Sequence, residues 1–177
     1  GVTRHISYEV KDSGAGATAT LKITYTNEGT ISWKSTRYRT FTRIYVPLGS
    51  QLISSKGFMT NDKLQNGVAT DSVVGTELGK TVFSGFLSVE PKETEILEIS
   101  YALPKESHQL FDSGTYSLDM QKQPGTASYP FSVRFEGNFK PKTVLPVDIE
   151  RSIEQNSVQF TGLLGKDQSF SVKDKAE

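Results

Sequence analysis

The chain has 177 residues, long enough for one domain with a hydrophobic core or for one domain with a small appendage. Its 20 basic and 20 acidic residues balance, so no overall charge attracts nucleic acid or a membrane surface. Cysteine is absent, which excludes disulfides, thiolate metal sites and a cysteine nucleophile.

Targeting signals are also absent from the sequence. No apolar run approaches the roughly 18 residues of a membrane-spanning helix, and no signal peptide is recognisable. Strand-like alternation begins at Ile6, close to the first residue. We therefore interpret the chain as a piece of a longer protein, with any membrane segment outside this fragment.

Strand patterns dominate the first half of the chain. Apolar and polar residues alternate over 6–10 and again over 17–25. The turn-rich residues 12–16 between them predict an antiparallel hairpin. A third strand is predicted at 38–46, whereas residues 54–76 have little pattern and favour an irregular excursion.

The second half of the chain has the same character. Further strands are predicted at 80–89, 97–103, 116–121 and 131–135. The segment Gln123–Thr126 has proline and glycine at its centre, which predicts a turn with Gly125 at positive φ. We expect this turn to join the last two strands as a hairpin.

These segments together predict the fold class. Seven strands with turns between them and no helix of a dozen residues favour an all-β, antiparallel β-sandwich of immunoglobulin-like type. A closed barrel is the alternative. A parallel sheet covered by helices is excluded, because its crossovers need helices of about a dozen residues. The predicted core comprises Ile23, Tyr25, Ile44, Val46, Leu87, Ile99, Leu118 and Val133.

The composition of the sequence changes after Gly137, since two prolines follow within ten residues. We predict a β-sandwich domain at 1–137 and a small C-terminal extension or hairpin, packed on the sandwich, at 138–177. The second segment is too short to hold a core of its own. A short helix around 148–155 is a further expectation.

The strand predicted at 38–46 has the most unusual composition. With Arg37 just before it, its odd-numbered positions place three arginines and two aromatic residues on one face. The chain between Gly29 and Asn61 contains basic residues and no acidic ones. The ligand surface predicted from this pattern comprises Trp33, Arg37, Arg39, Phe41, Arg43 and Tyr45.

Two interpretations of these arginines are open. Guanidinium groups bind carboxylates and phosphates, and aromatic faces stack on sugar rings or cations. Alternatively, the arginines pair within the sheet with Glu77, Glu95 or Glu98, and the aromatic rings cover their stems. We expect pairing to predominate. We also expect a strand of this length to have neighbours on both sides.

Signals for catalysis are weak. The two histidines, His5 and His108, are the residues from which a zinc site or a Ser-His-Asp triad would have to draw. We expect both to be solvated or at strand edges. The carboxylates of Glu93 and Glu95 fit a turn and an outer strand face better than a glycosidase pair in a cleft.

Signals for a metal are equally weak. Asp62, Asp71 and Asp112 offer loop oxygens of the kind that calcium takes, but their spacing is not that of a calcium loop. The sequence therefore predicts no catalytic residues, no cofactor and no metal site.

Several strings resemble a known family. YRTFTRIYVPLGSQL resembles a tyrosine- and arginine-rich strand that ends in a VPxGxxL turn, and TELGKTVFSGFLSVEP resembles an ExGKxxF segment. ISYALP and YSLDMQKQPGT resemble a YxLP strand followed by YxLxxQKQPGT. In this order, over about residues 6–133, the chain resembles the C-terminal part of the bacterial domain-of-unknown-function family DUF 4012. The resemblance implies a surface protein with an N-terminal membrane segment and no assigned activity.

These observations favour a non-enzymatic interaction or scaffold module of a bacterial cell-envelope protein, in an extracellular or envelope location. The expected partner is a protein or a cell-wall polymer at the bacterial surface, and not nucleic acid. The alternatives are a binding module for carbohydrate or anionic wall polymer, and a stalk domain of an adhesin or pilus. A carbohydrate-processing enzyme is disfavoured, and the oligomeric state is left open.

Overall fold

A computed structural model describes residues 1–32, 36–107 and 115–174. The strands are β1 (Val2–Asp12), β2 (Ala17–Asn27), β3 (Tyr38–Val46), β4 (Gln51–Lys56), β5 (Phe58–Met59), β6 (Ala69–Thr70), β7 (Val73–Glu77), β8 (Lys80–Val89), β9 (Thr94–Ala102), β10 (Thr115–Met120), β11 (Tyr129–Glu136), β12 (Thr143–Leu145), β13 (Glu150–Ile153), β14 (Ser157–Leu164) and β15 (Gln168–Lys173). A 3-10 turn covers Lys63–Gln65. The predicted all-β fold built from antiparallel sheets is confirmed, with one parallel pair, β1 with β11.

The chain divides into two compact units, and each is built from separate stretches of sequence. The first unit comprises Gly1–His5 and Thr20–Ala102, and the second comprises Ile6–Ala19 and Leu103–Glu177. Strands β1 and β2 therefore each contribute residues to both units. This division differs from the predicted boundary after residue 137.

The first unit contains two layers of strands. In one layer β9 lies between β2 and β4; in the other β8 pairs with β3, β5 and β7. Aromatic rings join the layers, with 5.5 Å between the centroids of Phe83 and Tyr101 and 5.9 Å between those of Tyr25 and Tyr38. Strand β9 buries Leu97, Ile99 and Tyr101 at alternate positions, whereas β8, which has strands on both sides, is buried at most of its positions.

The second unit has a core of phenylalanines. Strand β11 lies between β1 and β14, and a small sheet has the order β10-β15-β12. Phe160 on β14 and Phe170 on β15 have ring centroids 5.0 Å apart, and Phe131 approaches Phe170 at 5.5 Å. Residues after 137 therefore contribute buried side chains to this core, among them Phe160, Phe170 and Val172. The helix expected around 148–155 is wrong, because strand β13 lies there.

Both predicted turns are present, but only the first of them closes a hairpin. The predicted β1–β2 hairpin is present, and the N–H of Ser13 donates to the carbonyl of Gly16 to close its turn. The turn at 123–126 is also present, with Gly125 at φ 74°. The hairpin predicted across it is wrong, because β10 pairs with β15 and β11 pairs with β1 and β14. This turn carries the chain from one sheet to another.

Six of the eight predicted core residues are buried. The exceptions, Ile44 and Leu118, are half-buried. Ile44 lies on β3 and Leu118 on β10, and each strand stands at the end of its sheet. The expectation that β3 has neighbours on both sides is not met within the described residues, where β3 pairs only with β8. A side chain on such a strand keeps one flank open to water.

Candidate ligand-binding surface

Strand β3 separates its side chains into two faces. Tyr38, Thr40, Thr42 and Ile44 are half-buried and Val46 is buried, whereas the alternate positions are exposed. We call the exposed set, Arg39, Phe41, Arg43 and Tyr45, the outer face. Phe41 is 58% exposed and Tyr45 is 41% exposed, so this face presents aromatic surface to solvent. The predicted sorting of β3 by parity is thus present in the structure.

Arg37, just before β3, is committed to an ion pair. Its Nε lies 2.7 Å from Oε1 of Glu90, and both side chains are largely buried. Glu90 follows the last residue of β8, so the pair joins the beginning of β3 to the end of its neighbour. Arg37 therefore contributes to the structure of the sheet and is not available to a ligand.

Arg39 is held by a buried carboxylate. Its Nε and Nη2 lie 2.8 and 2.7 Å from Oδ2 of Asp62, whose side chain is 2% exposed. The other carboxylate oxygen of Asp62 accepts the N–H groups of Leu64 and Gln65 and so caps the 3-10 turn. The hydrogen bond from Arg39, with that cation's charge and the two backbone donors, lowers the pKa of Asp62 below its ordinary value. Arg39 thereby anchors the loop between β5 and β6 to the outer face.

The lowered pKa of Asp62 makes this contact sensitive to acid. A carboxyl group with a folded pKa below its unfolded pKa stabilises the fold above the unfolded value, which is about 3.9. That stabilisation is lost as the pH falls through the folded pKa. We expect Asp62→Asn to be less stable than the unaltered protein at neutral pH, and the difference to shrink steadily below about pH 3.9.

Chemical denaturation of both proteins across this pH range measures the difference. Asp71→Asn is the matched control, since Asp71 lies in the same excursion and contacts the hydroxyl of Ser55 at an exposed site. A difference between Asp62→Asn and the unaltered protein that does not change with pH would contradict the assignment.

Arg43 is the available cation of the outer face. Its guanidinium carbon stands 5.8 Å from the ring centroid of Phe41, and among the residues that the structure describes it forms no ion pair. The neighbouring Tyr45 hydroxyl donates to Oε2 of Glu77 at 3.0 Å. Arg43 therefore presents a positive charge beside an exposed aromatic ring, without a carboxylate of its own.

The adjacent strands extend this face. Arg43 is opposite Ser84 on β8, which is opposite Val73 on β7. Phe41 is opposite Phe86, which is also paired with Met59 on β5. Because residues directly opposite one another in antiparallel strands point to the same side, the rows form one surface. Its centre is aromatic and aliphatic, with Arg43 within it.

The predicted partners of the arginines are wrong. Glu95 contacts Lys63 and Glu98 contacts Lys22, while Glu77 binds Tyr45. The partners in the structure are Glu90 and Asp62, both on loops that the strand pattern does not place. Trp33, also predicted in the surface, lies outside the described residues. The sequence analysis considers Asp62 only as a possible calcium ligand. Its capping role is indicated by the pattern Asp62-x-x-Gln65 before Gly67.

The other predicted candidates lie apart from the outer face. Glu93 and Glu95 both accept from Nζ of Lys63, at 3.0 and 3.4 Å. His108 and Asp112 lie outside the described residues. In the part of the chain that the structure describes, no group of three or more histidine or carboxylate side chains is placed to hold a metal ion. Nor do those residues include a helix with the length and apolar character needed to cross a membrane.

The second unit has an open groove that the sequence does not indicate. Its volume is about 580 Å³, and its lining includes Phe131, Asp148, Glu150, Leu163 and Lys166. Gly162 also lines it, where a Cβ atom would stand 3.2 Å from the Phe131 ring. The groove mixes two carboxylates with one ammonium group, so it has no clear preference for a charged ligand.

Comparison with known proteins identifies similar folds at low sequence identity. The chain matches yeast LTA4 hydrolase with a TM-score of 0.51 and 9% identity, over 99% of this chain and 29% of the hydrolase. It matches a putative nutrient binding protein from Legionella pneumophila with a TM-score of 0.56 and 7% identity, over 97% of this chain and 67% of that protein. The chain thus spans less than a third of the yeast enzyme.

Sequence comparisons add nothing to these matches. No family model matches the chain, and no curated protein matches it. Membership of the DUF 4012 family therefore stays a prediction. At 7–9% identity the structural matches demonstrate a shared fold: this chain has the all-β architecture found in a part of yeast LTA4 hydrolase and in the Legionella protein.

Proposed function

We propose that this chain is a non-enzymatic interaction module and that it binds an anionic partner, a wall polymer or a protein, through the outer face. The observation that carries the proposal is Arg43, a cation without an ion-pair partner among the described residues, beside the exposed ring of Phe41. An arginine supplies planar donors for carboxylate or phosphate, and the ring supplies apolar contact.

The proposed affinity is modest. The chain has no net charge, so the cation acts at short range and does not attract polyanions from a distance. Charge attraction at an exposed site falls with added salt, because the screening length is about 10 Å at 0.1 M. Binding through the outer face is therefore expected at low ionic strength and weaker at high ionic strength.

A location at the bacterial cell envelope belongs to the proposal and rests on the resemblance to DUF 4012. A binding role is also consistent with the Legionella protein, whose name describes nutrient binding and whose fold is similar. An enzyme is the alternative class, since yeast LTA4 hydrolase shares the fold. The sequence, however, contains no nucleophile elbow, phosphate loop or dinucleotide fingerprint.

Two arginine variants test the proposal, because the structure assigns them different roles. We expect Arg43→Ala to weaken binding of a teichoic acid by about two- to fivefold, the factor supplied by an exposed ion pair worth up to about 1 kcal/mol. The same variant should keep the thermal stability of the unaltered protein. Arg39→Ala should instead lower the melting temperature, because it leaves Asp62 buried without its cation.

Calorimetric titration at low and high salt, beside thermal unfolding, measures both effects. Arg43→Lys is the matched control for charge, and it should retain most of the binding. If Arg43→Ala and Phe41→Ala bind the polymer as the unaltered protein does, the outer face is not the ligand surface.

A further inference from the structure

Within the part of the chain that the structure describes, strand β3 is an open edge of its sheet. It stands at the end of the sheet order β3-β8-β5-β6 and pairs with β8 over all nine of its residues, without a break in register. In an antiparallel pair, half of the backbone N–H and C=O groups of the outer strand point away from its neighbour. Such a row of unpaired groups is a template for another strand.

Burial on the inner side of β3 supports this description. Thr40 and Ile44 are half-buried, although their partners across the pair, Leu87 and Phe83, are almost fully buried. The inner side chains of β3 therefore lose their cover on the side away from β8. Among the described residues, no strand lies there to supply it.

Other sheet ends in the described residues are shorter or interrupted. Strand β4 has a register irregularity between Leu52 and Ser54, and β12 and β13 have three and four residues. Bulges and short edge strands are devices that prevent pairing with another chain. Strand β3 has neither device, and its one protection is positive charge.

The positive charge of β3 determines which kind of strand can pair with its open edge. Strand β3 contains Arg39 and Arg43 and no acidic residue, and Arg43 has no carboxylate partner in the described part of the chain. A second copy of this strand would add two more arginines at the same edge. A segment with carboxylates would instead pair with Arg43, since Arg39 already contacts Asp62.

We propose that β3 accepts an extended acidic segment of a partner protein as an added strand. Backbone hydrogen bonds would supply affinity, and side chains would supply selectivity. Acidic residues of the segment would alternate on the side of Arg39 and Arg43, and β-branched residues would extend the row of Thr40, Thr42 and Ile44. The inference rests on the proposed function, since Arg43 is the contact in both, and it names the ligand as a polypeptide strand.

A short synthetic peptide of alternating valine and glutamate, long enough to span β3, tests the inference. We expect it to slow hydrogen exchange at alternate amides of β3, those whose N–H groups face away from β8, and to leave the intervening amides unchanged. Arg43→Glu should weaken peptide binding about tenfold, because attraction becomes repulsion. Lys166→Glu, an equal charge change at an exposed site of the second unit, should not weaken it.

Two further peptides separate strand addition from side-chain contact. One is methylated on its odd-numbered backbone nitrogens and the other on its even-numbered ones; we call these the two phases. One phase should fail to bind, because it lacks the donors for β3. If both phases bind equally and the amides of β3 exchange as before, strand addition is wrong although the outer face still binds anions. If neither peptide nor teichoic acid binds, the proposed function and this inference both fail.

Self-association is the remaining outcome. Sedimentation of the protein alone, with exchange measured at several protein concentrations, detects it. Alternate amides of β3 that become protected as the concentration rises, without peptide, would identify a second copy as the occupant and would overturn the acidic segment.

Discussion

Phe160→Ala should lower the free energy of unfolding by about 3–5 kcal/mol, the range for removing a large aromatic side chain from a core. Phe160 is fully buried on β14, and its ring centroid lies 6.2 Å from that of Phe135 and 5.0 Å from that of Phe170. These contacts hold β14 and β15, the two longest strands after residue 137, in the core. Urea denaturation followed by circular dichroism measures the loss.

Leu163→Ala is the control on the same strand. Leu163 is 70% exposed, so its truncation should change stability by less than about 0.5 kcal/mol. A loss below about 1 kcal/mol for Phe160→Ala would contradict the core position of Phe160 and would favour the predicted division into a domain and an appendage.

Gly57→Ala should cost at least about 2 kcal/mol, for two physical reasons. Gly57 has φ 92°, where side chains are strained, and a Cβ atom there would overlap the backbone oxygen of Ile96. It lies between β4, which pairs with β9, and β5, which pairs with β8, so the chain passes between layers at this residue. The strain could be relieved only by changing the φ angle at residue 57 or by moving Ile96, and either change would disturb a strand.

Gly75→Ala provides the matched comparison. Gly75 lies on β7 in the same unit, and a Cβ atom there would meet nothing within 4 Å. We expect this variant to be neutral or slightly stabilising, because alanine reduces the freedom of the unfolded chain. Equal effects of the two substitutions on the denaturation midpoint would contradict the role assigned to Gly57.

The strands themselves were predictable because alternation is a local property. The bounds of β3 are those predicted, 38–46, since alternation begins at Tyr38 and Pro47 ends it. All seven predicted strands are present. Strands β5 and β6 in the excursion at 54–76 escaped prediction because they have two residues each and cannot show a period.

The pairing of strands was not predictable in the same way. The turn at 123–126 has the residues of a hairpin turn, yet its strands enter different sheets. Turn residues determine the local backbone, whereas the choice of neighbour depends on which apolar faces are buried together. Ile44 and Leu118 were predicted as core for the same reason: alternation identifies the inner face but not the end of a sheet.

The candidate surface was predicted in part. Parity alone placed Phe41, Arg43 and Tyr45 on one face of β3, and the structure adds that this face is exposed. It could not distinguish Arg39 from Arg43, because the difference lies in Asp62, which a loop brings to one of them. An ion pair between residues distant in sequence requires the tertiary structure.

The parallel pairing of β1 with β11 has a consequence for the order in which the chain acquires its structure. Ile6, near the beginning, is paired with Phe131, and no local hairpin can form this contact. Contacts between such distant segments slow folding, because the chain between them must first lose conformational freedom. During synthesis, β1 emerges from the ribosome long before its partner exists. Until β11 appears, one flank of the first strand stays open to other chains, so the nascent protein is most exposed to aggregation in that interval.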